Sequence, residues 1–254
     1  MGDAERELPR RSRIGADLPV RFVSALVMVA LAALALWLGG WFWLGFVAVL
    51  ALGVLWEWNR LVRAFATGAL SEIGWRFGGA CYVGGAAIAM IMVRNGPLLV
   101  PAGGGPTGFG AIEVLASFIA PIVAVDVGAY FAGRMIGGPK IAPSISPSKT
   151  WAGLGGGALA ASVVTMTCEI ADFGPSGQMP GFSALSLAGA ALAGVLIAVI
   201  AQAGDFFESW MKRRAGVKDS SGLIPGHGGL FDRLDGFLAV FFVLFVVALM
   251  PAYL

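Results

Sequence analysis

The chain has 254 residues, of which 58% are hydrophobic and only 13% are charged, and its net charge is +2. Soluble proteins carry about 25% charged residues, so this composition cannot coat a water-facing surface. It excludes a soluble globular domain, a disordered chain, a coiled coil and a disulfide scaffold, and it makes nucleic acid an unexpected partner. The sequence therefore predicts an integral membrane protein.

Apolar stretches long enough to cross a bilayer recur along the chain. A hydrocarbon core about 30 Å thick needs roughly 20 apolar residues per helix. Seven such stretches occur, at residues 21–39, 41–58, 78–93, 111–133, 151–171, 184–204 and 229–253. Residues 95–110 could add a re-entrant turn and residues 64–78 an interfacial helix. We predict an all-α, polytopic fold of seven to nine transmembrane helices, with a solvated tail over residues 1–20 and one transmembrane domain over residues 21–254.

The basic residues are distributed unevenly around these stretches. They gather in four segments: before the first stretch, after the second, between the fourth and fifth, and between the sixth and seventh. Only Arg94 and Arg233 lie outside these segments. A seven-span topology puts all four on one side of the membrane. Because cytoplasmic loops carry an excess of Lys and Arg, we expect that side, and the N-terminus, to be cytoplasmic.

Two polar clusters lie within or beside the apolar stretches, where a carboxylate is costly unless it is paired or wetted. The first runs from Asp126 through residues 143–151. The second covers residues 204–236 and holds five acids, five cations and the one histidine of the chain. If the sixth stretch continues as a helix, its spacing places four side chains on one stripe, and two further acids share a face at the start of the seventh. These side chains are Asp205, Glu208, Ser209 and Lys212, and Asp232 and Asp235.

This residue set has the chemistry of a polyphosphate site. Oxygen ligands from two helices suit Mg²⁺, which binds one or two carboxylates and completes its shell with water and phosphate. A zinc site is not expected, because a single histidine and no nearby cysteine are present. Residues 225–229 (Pro-Gly-His-Gly-Gly) open a helix, and glycine-rich helix starts favour anions. The hydroxyl and ammonium groups of residues 144–150 are expected on the same side.

Simpler interpretations of single residues stay open. Asp126 could form a structural ion pair with Arg134. His227 could be a structural hydrogen-bonding residue. Glu57, between Trp56 and Trp58, is expected to cap an interface between aromatic side chains.

Residues 209–235 (Ser-Trp-Met-Lys-Arg-Arg-Ala-Gly-Val-Lys-Asp-Ser-Ser-Gly-Leu-Ile-Pro-Gly-His-Gly-Gly-Leu-Phe-Asp-Arg-Leu-Asp) resemble the signature of phosphatidate cytidylyltransferases, the CDP-diacylglycerol synthases. Residues 126–134, residues 145–150 and the Trp-Glu-Trp at 56–58 are also similar to that family. Two positions depart from its pattern. Ala152 stands where the family usually has Glu, and Ser148 where Lys is common, which puts a role for that Glu in doubt here.

The resemblance implies that residues 21–254 form a catalytic domain, in the plasma (inner) membrane of a bacterium, that joins CTP to phosphatidic acid and releases pyrophosphate. It implies a divalent cation held by Asp205 and Asp232 and associates K⁺, as a second ion, and a homodimer with the family. We expect the divalent cation to be Mg²⁺, and the sequence leaves Mn²⁺ open. Membrane lipids are the expected surroundings. The expected catalytic residues are Lys212, Arg213, Lys218, Asp219, His227, Arg233 and Asp235. The expected substrate-binding residues are Asp126, Tyr130, Arg134, Ser146, Lys149, Ser209, Gly228 and Gly229.

Two rival functions remain. A CTP-dependent polyprenol or lipid kinase would use similar residues but attack the γ-phosphorus of CTP. A cation- or proton-coupled transporter would place acids at mid-membrane within repeated halves, and the sequence shows no internal repeat.

Overall fold

The computed structural model describes residues 11–95, 109–171 and 183–250. The described residues form seven helices and two short strands. The helices are α1 (Arg11–Leu38), α2 (Gly40–Phe65), α3 (Ala69–Asn95), α4 (Phe109–Met135), α5 (Trp151–Ile170), α6 (Ala184–Arg214) and α7 (Phe231–Leu249). The strands are β1 (Lys140–Ala142) and β2 (Ser146–Thr150), which lie between α4 and α5.

Six of the helices, α1 to α6, are long and apolar enough to cross a membrane. This confirms a helical membrane protein. The seventh, α7, carries three charged residues in its first five positions and a continuous apolar run after them, so its crossing stays a prediction, as does the total of seven to nine spans. Helix α1 begins at Arg11, inside the predicted tail of residues 1–20.

The sequence suggested two additional membrane-embedded segments, and the structure describes only one of them fully. Residues 64–78 do not form a separate interfacial helix. The chain turns at Ala66 and at Gly68, whose φ of +90° favours glycine, and α3 begins at Ala69. The expected re-entrant turn at 95–110 lies almost entirely outside the described residues.

Small residues bring the helices that carry the polar clusters into direct contact. A Cβ added to Gly128 of α4 would lie 2.5 Å from the carbonyl oxygen of Gly156 on α5. A Cβ added to Gly204 of α6 would lie 2.5 Å from the carbonyl oxygen of Asp235 on α7. Only glycine permits such backbone approach at these positions. Gly204 thus places the helix that carries Asp205 against the start of the helix that carries Asp235.

The two strands form an antiparallel hairpin that the sequence did not predict. Lys140 pairs with Thr150, and Ala142 pairs with Ser146. Thr150 ends the hairpin and also caps α5, because its Oγ1 accepts a hydrogen bond of 3.0 Å from the amide of Gly153. The hairpin therefore fixes Lys149 immediately before a rigid helix start.

An aromatic cluster joins α2, α3, α6 and α7 near the start of α7. The ring of Trp58 lies 5.7 Å, centroid to centroid, from both Phe207 and Phe231, and 6.0 Å from Tyr82. Its Nε1 donates to the carbonyl oxygen of Trp75 at 2.9 Å. Aromatic pairs at such distances stabilise packing. The cluster also fixes the position of the adjacent Glu57.

Candidate active site

Glu57 accepts hydrogen bonds from both the loop before α7 and the start of α7 itself. Its side chain is fully buried. The amides of Leu230 and Phe231 donate to it at 2.9 and 2.6 Å, and the hydroxyls of Ser220 and Ser221 also donate to it. The expectation that Glu57 caps an aromatic interface is therefore wrong. Its carboxylate satisfies the amides that a helix leaves unpaired at its first turn.

Asp232 lies next to this carboxylate and orders the same loop. It accepts hydrogen bonds from the amide and hydroxyl of Ser220 and, at 2.8 Å, from the amide of Gly229. Lys212 lies 2.7 Å from its Oδ1 and 2.6 Å from Oε2 of Glu208. Most acceptor capacity of Asp232 is thus used by the protein, and two carboxylates offset the charge of Lys212.

Asp205 belongs to a second group of charges. It forms an ion pair with Lys149 of the hairpin. Asp205 and Lys149 line a small cavity of about 20 Å³ together with Asp126, Asp235 and Arg233. Asp235 accepts one hydrogen bond, 2.8 Å long, from the amide of Gly236. The predicted stripe of α6 is therefore divided, with Glu208 and Lys212 facing Asp232 and Asp205 facing Asp235.

A larger polar cavity of about 450 Å³ opens beside this group, between α4, α5, α6 and the hairpin. Tyr130 and Arg134 line it from α4, and Asp126 and Lys149 line both cavities. Asp126 is absent from the four ion pairs of the described residues, so the simple Asp126–Arg134 pair is not formed. This cavity is large enough for a small organic ligand.

Gln202 lines both polar cavities and was not identified from the sequence. Its side chain is 7% exposed, yet its Nε2 has no hydrogen-bond partner. Buried amides are normally paired, so an unpaired one that borders a cavity indicates a position for a ligand acceptor. A polar residue one helical turn before Asp205 was the available signal.

The glycine-rich loop folds back toward α1. The Nδ1 of His227 lies 2.8 Å from Oγ of Ser24, and Ser24 also contacts the carbonyl oxygen of Pro225. Arg233 donates from Nε and Nη2 to the carbonyl oxygen of His227, at 3.1 and 2.7 Å. The imidazole thus has a protein partner, which supports the simpler structural interpretation of His227.

Gly228 and Gly229 of this loop leave no room for a side chain. Gly228 has φ of +83°, and a Cβ there would lie 3.0 Å from Oδ2 of Asp232. A Cβ on Gly229 would lie 2.5 Å from Oε1 of Glu57. Their role in this structure is therefore to let the two carboxylates approach the loop backbone.

The remaining predicted residues lie outside the cavity linings. Arg213 is exposed and donates to the carbonyl oxygen of Ile145, which ties α6 to the hairpin. Lys218 and Asp219 are exposed on the loop, whereas Ser146 and Ser209 are buried. Ser148 and Thr150, rather than Ser146, line the larger cavity. Site roles for these five residues stay predictions.

The donor set fits a hard divalent cation when substrate completes its shell. Asp126, Asp205 and Asp235 line one cavity, and carboxylate oxygens are ligands that Mg²⁺ prefers. No group of three or more His, Cys, Asp or Glu within the described parts of the chain forms a metal cage by itself. Mg²⁺ commonly binds through one or two carboxylates with water and phosphate, so a complete protein cage is not needed.

Comparisons with known proteins show the family of this chain. A protein named phosphatidate cytidylyltransferase from Brucella suis is 37% identical over 214 residues, which cover 82% of this chain and 72% of that protein. One of the same name from Rickettsia bellii is 29% identical over 232 residues, covering 91% of this chain and 90% of that protein. The sequence pattern of the Cytidylyltransferase family matches residues 81–250, which include both charged groups. The chain belongs to the cytidylyltransferase family.

Proposed function

We propose that this protein is a phosphatidate cytidylyltransferase, which joins CTP to phosphatidic acid and forms CDP-diacylglycerol and pyrophosphate. The observation that carries the proposal is a polar cavity, lined by Asp126, Lys149 and Arg134, at one end of a bundle of membrane-length helices. A water-soluble triphosphate and a lipid headgroup can meet only at such a boundary. The names of the relatives support the choice of substrates.

The reaction needs charge neutralisation more than proton transfer. A phosphate monoester has a second pKa near 6, so phosphatidate reaches the site mostly as a dianion and a ready nucleophile. Its oxygen would attack the α-phosphorus of CTP as pyrophosphate leaves. We assign Lys149, Arg134 and Arg233 to hold the phosphates in line, because all three line the polar cavities. Preorganised cations of this kind stabilise the developing charge.

Asp205 is the first choice as ligand of the divalent cation, and Asp235 or Asp126 is the second. Bound Mg²⁺ would supply Lewis-acid polarisation of the phosphate oxygens. Asp205 and Asp235 line one cavity, whereas Asp232 already accepts from Ser220, Gly229 and Lys212. Two assignments of the metal ligands therefore remain: Asp205 with Asp232, as expected from the resemblance, or Asp205 with Asp235.

The magnesium dependence of three variants separates these pairs. We expect Asp205→Asn and Asp235→Asn to lose about 10² to 10³ in rate and to need more Mg²⁺ for half-maximal activity. Asp232→Asn should instead lower thermal stability, because it weakens the loop. A shifted Mg²⁺ dependence in Asp232→Asn, with none in Asp235→Asn, would favour the first pair. The same titration with Mn²⁺ and K⁺ tests the predicted substitute and second ion.

We also propose that the polar cavities face the cytoplasm, with the N-terminus on the same side. The four basic segments support this orientation. A bacterial inner membrane is the proposed location, which agrees with the bacterial source of the relatives. Labelling of single cysteines from either side of sealed vesicles would test it. The homodimer stays a prediction.

The central test uses purified protein, phosphatidate and CTP labelled at either the α- or the γ-phosphorus. We expect the α-label in the lipid product, the γ-label in pyrophosphate, and loss of both signals with a chelator. Transfer of the γ-label to lipid would indicate a lipid kinase instead. No lipid product, together with cation-driven uptake into vesicles, would indicate a transporter.

A further inference from the structure

A third cavity lies beside the polar site and is almost entirely apolar. It has a volume of about 530 Å³ and lies between α1, α2, α3 and α7, with Ile119 of α4 and Ile224 and Leu230 of the loop. Among the residues that line it, Arg233 alone is charged. We call this cavity the apolar groove.

The groove has a buried floor and an open side. Val54, Val83 and Ala86 of its lining are fully buried. Leu31 of α1 and Val49 of α2, which also line it, are 53% and 68% exposed. A flat lipid-facing surface would have no buried floor. The groove is therefore open toward the bilayer on the side of α1 and α2 and extends inward toward α7.

Arg233 connects the apolar groove to the polar site. It lines the groove and also the small cavity that contains Asp205, Asp235 and Lys149. Two of its nitrogens donate to His227, which orients the guanidinium. Because a guanidinium has five N–H donors, Arg233 retains donors for an anion. An apolar channel that ends at an oriented cation is complementary to a lipid with an anionic headgroup.

We propose that the apolar groove holds one acyl chain of the phosphatidic acid substrate, with the lipid phosphate beside Arg233. The inference rests on the proposed function. Lipid tails are as apolar as the groove wall, so binding there gains little transfer energy. Its effect is to position the phosphate for attack, and a small misplacement of a reacting group lowers rates strongly.

Chain length gives a sharp test of this role. A short-chain phosphatidate keeps the headgroup but does not need the groove, whereas a long-chain one does. Ala32→Phe on α1 and Ala87→Phe on α3 would fill the groove, since both alanines line it and are half-buried. Ala30→Phe is the matched control, because Ala30 is exposed on the same helix and does not line the groove.

We expect the groove-filling variants to lose roughly 10-fold or more in kcat/KM for dipalmitoyl phosphatidate and less than about 2-fold for dihexanoyl phosphatidate, a difference expected from misplacement of the headgroup. Ala30→Phe should match the unsubstituted protein with both lipids. Thermal melting in detergent identifies a variant that has failed to fold, and Ala32→Phe, at the open side, is the safer of the two. Equal losses with both lipids, as a structural bilayer lipid in the groove would give, would overturn the proposal.

A binding measurement keeps this test independent of turnover. Phosphatidate with a photoreactive group at the end of one acyl chain should label peptides of α1, α2 and α3, and Ala32→Phe should reduce that labelling several-fold. Labelling elsewhere would refute the groove even if the enzyme is active. Conversely, if the groove is labelled but the α-phosphorus is not transferred to lipid, the groove binds lipid and the proposed reaction is wrong.

Discussion

Replacement of Glu57 should disorder the loop before α7 and impair the enzyme from a distance. Glu57→Ala removes the acceptor for the amides of Leu230 and Phe231 and for two serine hydroxyls. A buried donor left without a partner costs about 1–3 kcal/mol, so the two amides alone cost about 2–6 kcal/mol. The hydroxyls can turn to other acceptors and add less. Glu57→Gln keeps one acceptor oxygen, so its loss of stability should be roughly half as large.

Hydrogen exchange detected by mass spectrometry measures this loss where it occurs. About 1.4 kcal/mol corresponds to a factor of ten, so peptides covering residues 219–231 should exchange at least about 10-fold faster in Glu57→Ala. Turnover should fall as well, because Asp232 and Arg233 belong to the same unit. Glu72→Ala is the control, since Glu72 forms only a partly exposed ion pair with Arg76, and such pairs contribute little.

The reasoning would be refuted by a Glu57→Ala protein whose loop exchanges at the original rate and whose turnover is unchanged. The reasoning would also be refuted if Glu57→Ala changed loop exchange and turnover no more than Glu72→Ala does. A loop that exchanges faster without any loss of turnover would retain the structural role and reject the link to catalysis.

Three further predictions concern the other residues of the site. Gln202→Leu should leave thermal stability unchanged or raise it, because no hydrogen bond of its Nε2 is lost, while KM for CTP rises; an unchanged KM would exclude contact with the nucleotide. Gly229→Ala should destabilise the protein by about 1–3 kcal/mol in thermal melts, because its methyl group meets Glu57, whereas Gly74→Ala, with open space around it, should not. Lys149→Met should lower the rate about 10² to 10³-fold with little change in melting temperature, and near-normal turnover would reject its phosphate role.

The sequence predicted the helices well because apolar length alone specifies a membrane span. Helix α5 covers residues 151–170, as against a predicted 151–171. The apolar stretch of α6 ends at residue 204, but the helix continues to Arg214. This continuation is the condition under which Asp205, Glu208 and Lys212 were expected on one side of the helix. The hairpin escaped prediction because residues 140–150 are rich in Pro and Ser, and its short strands follow from pairing rather than from a local pattern.

The sequence predicted most of the residues of the site, but not which of them lie together. A spacing of three residues leaves Asp232 and Asp235 about 60° apart around α7, by 3.6 residues per turn. Gly204 of α6 contacts α7 at the backbone of Asp235, and Asp235 shares a cavity with Asp205 whereas Asp232 pairs with Lys212. Helical periodicity cannot locate that contact. Glu57 was misinterpreted for a related reason, since its partners lie at least 163 residues away in sequence.

The hydrogen bond between Ser24 and His227 has a consequence for how the protein is made. It joins residues 203 positions apart, near opposite ends of the chain. The first helix enters the bilayer early in translation, but its polar partner is synthesised only after helices α1 to α6. Closure of so long a segment is entropically unfavourable until intervening contacts exist. A nascent chain that stalls before the last helix therefore lacks Asp232, Arg233 and Asp235 of the candidate site.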